Sequence, residues 1–149
     1  MNDESDISLE DTLGIGVDLV EIQRFRNLTD DSPFFHRVFT EQELDYCLGY
    51  SDASSHLAAI FAGKEAVVKA LQGNTAISMK SIEVYHEPNG MPSVKLCQLP
   101  EIKILLSLAH SKEHAVAIAL LIPQSGETSE KVLQSLLNER ISEILQGCG

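Results

Sequence analysis

The chain has 149 residues, enough for one compact domain that buries roughly two thirds of its unfolded surface. A formal net charge of -11 argues against a nucleic-acid binder that works by neutralising phosphates, and no apolar run approaches the length of a membrane span. Cys47, Cys97 and Cys148 are odd in number and far apart, which fits reduced thiols better than a disulfide or zinc framework.

Residues 1–12 carry Asp3, Glu4, Asp6, Glu10 and Asp11 and read as an acidic segment loosely attached to the domain. Such a start is the opposite of a signal or transit peptide, so the predicted location is cytoplasmic. The core then begins abruptly. Leu13-Gly14-Ile15-Gly16-Val17-Asp18-Leu19-Val20 reads as a buried strand, with Ile15, Val17 and Leu19 on one face and Gly16, Asp18 and Val20 on the other. A carboxylate within so apolar a run is either a turn cap or a metal ligand or base in a cleft.

Residues 21–28 can start a short helix presenting Arg24, and Asp30-Asp31-Ser32-Pro33 reads as a turn. Thr40 with Glu43 three residues later has the form of a capping box. Together with Arg26, Arg37, Lys64 and Lys69, Arg24 concentrates basic charge in the first half of the domain, a local surface able to dock an acidic partner.

Residues 56–72 lack proline and are rich in helix formers, which predicts a helix. Leu57, Ile60, Phe61, Lys64, Val67, Val68 and Leu71 fall on one bulky arc, and Ala58, Ala59, Ala62, Gly63, Ala66 and Ala70 on a small-residue face. Lys64 projects from the middle of the bulky arc. Glu65 and Lys69 sit together at its edge, and burying such charges unpaired would cost several kcal/mol. They are therefore expected to pair with each other or with something brought in. Gly73 and Asn74 end the helix.

The remainder predicts antiparallel β. Residues 81–86 and 93–97 alternate around the turn Glu87-Pro88-Asn89-Gly90-Met91-Pro92, and residues 102–110 and 114–122 flank a second turn with His110 at its lip. Residues 123–127 read as a linker. An amphipathic helix follows, with Val132, Leu133, Leu136, Leu137, Ile141, Ile144 and Leu145 in one stripe that packs back on the domain or contacts a neighbour.

A strand-borne carboxylate, Asp18, with a helix-borne carboxylate, Glu65, and lysines at 64 and 69 is what a magnesium ion and a pyrophosphate require. Ile15-Gly16-Val17-Asp18 and Phe61-Ala62-Gly63-Lys64-Glu65-Ala66-Val67-Val68-Lys69 resemble the two signature motifs of the 4'-phosphopantetheinyl transferases. Glu21-Ile22-Gln23-Arg24-Phe25, Arg37-Val38-Phe39-Thr40, Gly90-Met91-Pro92 and Ser107-Leu108-Ala109-His110-Ser111 narrow the likeness to the holo-acyl-carrier-protein synthase type. It covers residues 13–122 as one transferase domain, with residues 123–149 as linker and extra helix.

The resemblance implies an α+β fold of the short trimeric type, an antiparallel sheet packed with a long central helix. The implied reaction moves phosphopantetheine from coenzyme A to a serine of an apo acyl carrier protein of fatty acid or polyketide synthesis, releasing adenosine 3',5'-bisphosphate. Asp18 and Glu65 would hold Mg2+ and, with Lys69 and His110, make up the catalytic set. Lys64, Lys69, Gly90, Pro92 and His110 would contact coenzyme A, Arg24 and Arg37 would dock the carrier, and the clefts would lie between subunits of a homotrimer. Ile60 and Ala109 depart from the arginine and serine common in the family. Two other classes compete: a trimeric coenzyme A-binding scaffold without turnover, which would have no need of a metal clamp, and a magnesium-dependent phosphohydrolase.

Overall fold

The structure, a computed structural model, describes residues 13–28, 31–71, 76–122 and 130–147, without the side chains of 130–133. The acidic segment 1–12, the helix end at Gly73 and Asn74, the linker and Cys148 lie outside the described residues. Among those described, no helix is long and apolar enough to cross a membrane.

Strand β1 (Gly14–Glu21) is followed by three short helices, α1 (Gln23–Arg26), α2 (Pro33–Val38) and α3 (Glu41–Leu48), and by the long α4 (Ala53–Ala70). The hairpin β2 (Ile82–His86) and β3 (Pro92–Leu96) comes next, then the hairpin β4 (Lys103–His110) and β5 (His114–Ile122), and finally α5 (Glu130–Gly147). Both hairpins form as the alternation and turn residues predict. In the first, Gly90 takes φ +86°, a left-handed conformation that glycine adopts without a Cβ penalty. The first and last strands pair antiparallel, giving a three-stranded sheet ordered β1-β5-β4, while β2 and β3 form a separate two-stranded sheet.

Helix α2, which the sequence reading did not predict, begins at Pro33, the last residue of the predicted turn. Pro33 occupies the first turn of this helix, where its missing N–H would have no partner anyway and its fixed φ suits the helix. Thr40 and Glu43 make the predicted capping box at α3, Glu43 N–H to Thr40 Oγ1 at 3.2 Å and Thr40 N–H to Glu43 Oε2 at 2.9 Å.

Helix α4 lies across the inner face of the larger sheet with Ala58, Ala59, Ala62, Ala66 and Ala70 buried. The small-residue face is thus used inside the domain. It lets β1 approach unusually closely: a Cβ on Gly16 would stand 1.9 Å from the Ala66 carbonyl oxygen, and one on Gly14 2.0 Å from that of Ala70. Gly16→Ala must therefore push the strand off the helix. It should cost about 1–3 kcal/mol as an overpacking change, read as a lowered midpoint in thermal unfolding.

β1 is buried on one face only. Gly14, Gly16 and Val20 face α4, whereas Ile15, Val17 and Leu19 stand exposed on the outer face. The expectation of a strand buried on both faces fails because α5 covers the outer face only over β4 and β5. There Leu137 and Ile141 pack on Val116 and Ile118, Gln134 donates to the Leu106 carbonyl at 2.8 Å, and Ser107 donates to Asn138. The stripe on α5 is narrower than predicted, since Leu136 and Ile144 are exposed.

Candidate active site

Asp18 stands in mid-strand, on the inner face between Gly16 and Val20, because the β1 pleat alternates and the two glycines admit α4. The close approach brings Lys69, in the last turn of α4, to this carboxylate. Its Nζ donates to Asp18 Oδ1 at 2.9 Å and to the Val17 carbonyl at 3.0 Å. The expected pair between Glu65 and Lys69 is absent, because the strand carboxylate captures the lysine. Glu65 has no ion-pair partner among the described residues. With Asp18 it lines a cleft of about 630 Å³ that also includes Glu21, Gln23, Arg24, Asn27 and Phe61.

Lys64 goes elsewhere. It is fully buried and its Nζ meets Glu43 Oε2 at 2.7 Å, the Met79 carbonyl at 3.0 Å and the Val38 carbonyl. Those three acceptors take all three ammonium protons. Glu43 is equally buried and receives the Val84 N–H at 2.8 Å as well as the Thr40 N–H. Burial raises the Glu43 carboxyl pKa and lowers that of the Lys64 amine, each opposed by the partner's charge. The pair joins α3, α4 and β2 from inside, so Lys64 has no proton left for a ligand. Sequence reading assigned Glu43 only its capping role; a lysine on an apolar arc was the signal that a buried carboxylate must meet it.

Arg24 was expected at a docking surface and stands at the cleft itself. Its guanidinium carbon lies 5.2 Å from the Phe61 ring centroid and 6.0 Å from that of Phe34, so aromatic faces hold the charge beside the two carboxylates. Arg37 is exposed on α2.

Gly90, Pro92 and His110 do not line this cleft. Pro92 instead lines a second cavity of about 890 Å³ between the small hairpin, β4 and α5. The two family departures lie where their neighbours explain them. Ile60 is 1% exposed in the core, a place for an aliphatic chain, and Ala109 packs into the cluster beneath α5.

His110 belongs to a group of rings that the sequence did not reveal. His56 sits edge-on to it at 5.7 Å, stacks on Tyr50 at 3.7 Å and meets Tyr46 edge-on, while Tyr46 stacks on His86 at 4.2 Å. Burial first, then the neighbouring imidazole, lowers the pKa of both His56 and His86, and the buried His86 Nδ1 has no hydrogen-bond partner among the described residues. With both values lowered, the unfolded chain takes up protons first as pH falls. Stability from these groups is therefore complete above the unfolded value of about 6.5 and is lost progressively below it. Melting at pH 7.5 and 5.5 should show a drop that is smaller in a His56→Phe/His86→Phe variant; an equal drop in both proteins would remove these histidines from the account.

The donor set speaks to the metal as well. Among the described residues, no three His, Cys, Asp or Glu side chains gather into a metal cage. Two carboxylates on one cleft fit magnesium, which takes one or two carboxylates and fills its octahedron with waters and substrate phosphates.

Comparison with known proteins shows the family that the chain resembles. Residues 14–119 match the model of the 4'-phosphopantetheinyl transferase superfamily. The holo-[acyl-carrier-protein] synthase of Thermodesulfovibrio yellowstonii is 38% identical over 110 residues, 72% of this chain and 96% of that protein. The synthase of Protochlamydia amoebophila is 40% identical over 118 residues, 73% of this chain and 97% of that protein. Among solved structures, the holo-(acyl-carrier-protein) synthase from Bacillus anthracis in complex with CoA (3',5'-ADP) superposes with a TM-score of 0.63 at 36% identity, covering 72% of this chain and 94% of that one. The Helicobacter pylori synthase in complex with coenzyme A gives 0.64 at 28% identity, covering 72% and 99%.

Proposed function

The chain belongs to the 4'-phosphopantetheinyl transferase superfamily, and from that premise we propose how it works: it is a holo-acyl-carrier-protein synthase, transferring the phosphopantetheine arm of coenzyme A to a serine of an apo acyl carrier protein. The observation that carries the reading is the meeting of Asp18 and Glu65 on one cleft, with Lys69 bonded to the first carboxylate.

In this reading Asp18 and Glu65 hold magnesium, which when bound supplies positive charge to the pyrophosphate of coenzyme A. Lys69 is half exposed, so its ammonium can turn from the Val17 carbonyl toward a phosphate oxygen while staying beside Asp18. Arg24, fixed over Phe61, offers planar donors to the same anion. Transfer of this kind depends on positioning and on charge placed where negative charge develops. Lys64, with its protons committed inside the subunit, acts through structure, holding the turn of α4 that carries Glu65.

Gly90, Pro92 and His110 stand away from the carboxylate cleft of their own chain. That separation favours a homotrimer with clefts between adjacent subunits, where these residues approach the coenzyme A held by a neighbour. The carrier, as an acidic partner, would lie along Arg24 and the exposed Arg37. Steady-state kinetics test this division. Arg37→Glu should raise the carrier KM about tenfold and leave that for coenzyme A unchanged, whereas Arg24→Glu should raise both because its side chain shares the metal cleft. A coenzyme A effect confined to Arg37→Glu would reverse the assignment.

A further inference from the structure

His110 is one of the residues that the proposed function brings to coenzyme A, and a side chain in that role needs a fixed ring. It is the last residue of β4 and stands exposed, so the packed core does not fix it. Two contacts do. The first is to its own turn, where Nδ1 lies 3.3 Å from the Ser111 carbonyl. That carbonyl is itself held in place, because the Ser111 N–H donates to the His114 carbonyl at 2.8 Å and the His114 N–H donates to Ser111 Oγ at 3.1 Å. A carbonyl only accepts, so the contact places the proton of the neutral ring on Nδ1. Nε2 is then the bare nitrogen, and it has no hydrogen-bond partner among the described residues.

The second contact is His56, whose ring meets that of His110 at 5.7 Å and 68°, within the edge-to-face range of aromatic pairs. His56 is braced in turn. Tyr50 stacks on it at 3.7 Å and 20°, Tyr46 meets it at 5.9 Å and 86°, and the Tyr50 hydroxyl donates to that of Tyr46 at 3.2 Å. Tyr46 stacks on His86, which ties the group to the small hairpin. Burial and the neighbouring His110 lower the His56 pKa against an opposing pull from Asp52, whose carboxylate lies 3.9 Å from Arg26. At neutral pH His56 is therefore an uncharged ring that does not repel a protonated His110.

We propose that His56, backed by Tyr50, is a positioning residue for His110: it holds that imidazole with Nδ1 on the Ser111 carbonyl and Nε2 presented to substrate. The role calls for a flat uncharged ring at position 56, not for its nitrogens.

The inference rests on the proposed function for its effect on the reaction, and its test separates the two. Nitrogen-15 NMR of the imidazoles, with kinetics on the same full-length proteins, compares wild type, His56→Ala, His56→Phe and Tyr50→Ala. Above the ordinary histidine pKa of about 6.5, wild-type His110 should carry its proton on Nδ1. His56→Ala should spread that proton over both nitrogens and lower kcat/KM for coenzyme A by about tenfold, the kind of loss that follows a misplaced contact group, with the carrier KM unchanged. His56→Phe should keep the wild-type tautomer and most of the activity. Tyr50 is 45% exposed, so Tyr50→Ala should fold even if His56→Ala does not, and should shift tautomer and kcat/KM in the same direction. An Nδ1 proton retained in the alanine variants would overturn the positioning role, as would equal losses in His56→Ala and His56→Phe, or a tautomer change that leaves kcat/KM unaltered. If the wild-type protein modifies no carrier, the proposed function falls, and the tautomer still decides whether His56 orients the ring.

Discussion

Asp18→Ala and Glu65→Ala should each lower the rate of phosphopantetheine transfer by about 10²–10³-fold, the range for removing a fixed electrostatic contact to developing charge. The fold should hardly respond. Glu65 is without an ion-pair partner among the described residues, and the Asp18 pair with Lys69 has one half-exposed member, so its loss should cost no more than about 1 kcal/mol. Raised magnesium should partly restore each variant, since one carboxylate of the pair remains. Stopped assays across a magnesium series, with thermal melts on the same samples, separate the two effects. A tenfold loss matched by unfolding would assign these carboxylates to structure.

The second large effect belongs to stability. Glu43→Leu leaves the Lys64 ammonium buried without its carboxylate, and Lys64→Met leaves the reverse charge; either should cost about 3–5 kcal/mol in denaturant unfolding. The double variant should cost less than the sum of the two, yet remain below wild type. The reason is the backbone: the Val38 and Met79 carbonyls and the Thr40 and Val84 N–H groups all take a partner from this pair, and a buried polar group left alone costs about 1–3 kcal/mol. Kinetics on the folded fraction complete the test. If Lys64 acts only through the fold, the activity of folded Lys64→Met protein falls far less than that of Lys69→Met.

These two predictions mark where sequence reading succeeded and where it stopped. Helix α4 and both hairpins were legible because their signals are local: an unbroken run of helix formers around Lys64, and alternation on either side of turns such as that at Gly90. Asp18 was legible as an anomaly, a charge in an apolar strand. The partners of the lysines were not, because helical spacing reports only neighbours on the same helix. Spacing put Lys69 beside Glu65, but Gly14 and Gly16 drew a strand carboxylate within its reach, across 51 residues of chain. Lys64 needed a carboxylate from α3, and the capping box at Thr40 had already given Glu43 a role. The pairing of β1 with β5 spans the whole domain and leaves no local signature, so the half-open outer face of β1 was hidden too. Helix α2 was missed for a different reason: proline marks turns and first helical turns alike, and residues 34–38 are too few for periodicity to decide. The imidazole and tyrosine rings around His110 come from α3, the connection between α3 and α4, α4, β2 and β4, and only folding brings them together.

The most direct test of the central claim is intact-mass analysis of an apo acyl carrier protein after incubation with this chain and coenzyme A, with and without magnesium. The account predicts that the carrier gains the mass of one phosphopantetheine when magnesium is present and gains nothing when it is chelated, with the Asp18→Ala and Glu65→Ala proteins nearly silent. A carrier that stays unmodified while the wild-type protein binds coenzyme A would contradict it, as would equal modification by wild type and both variants.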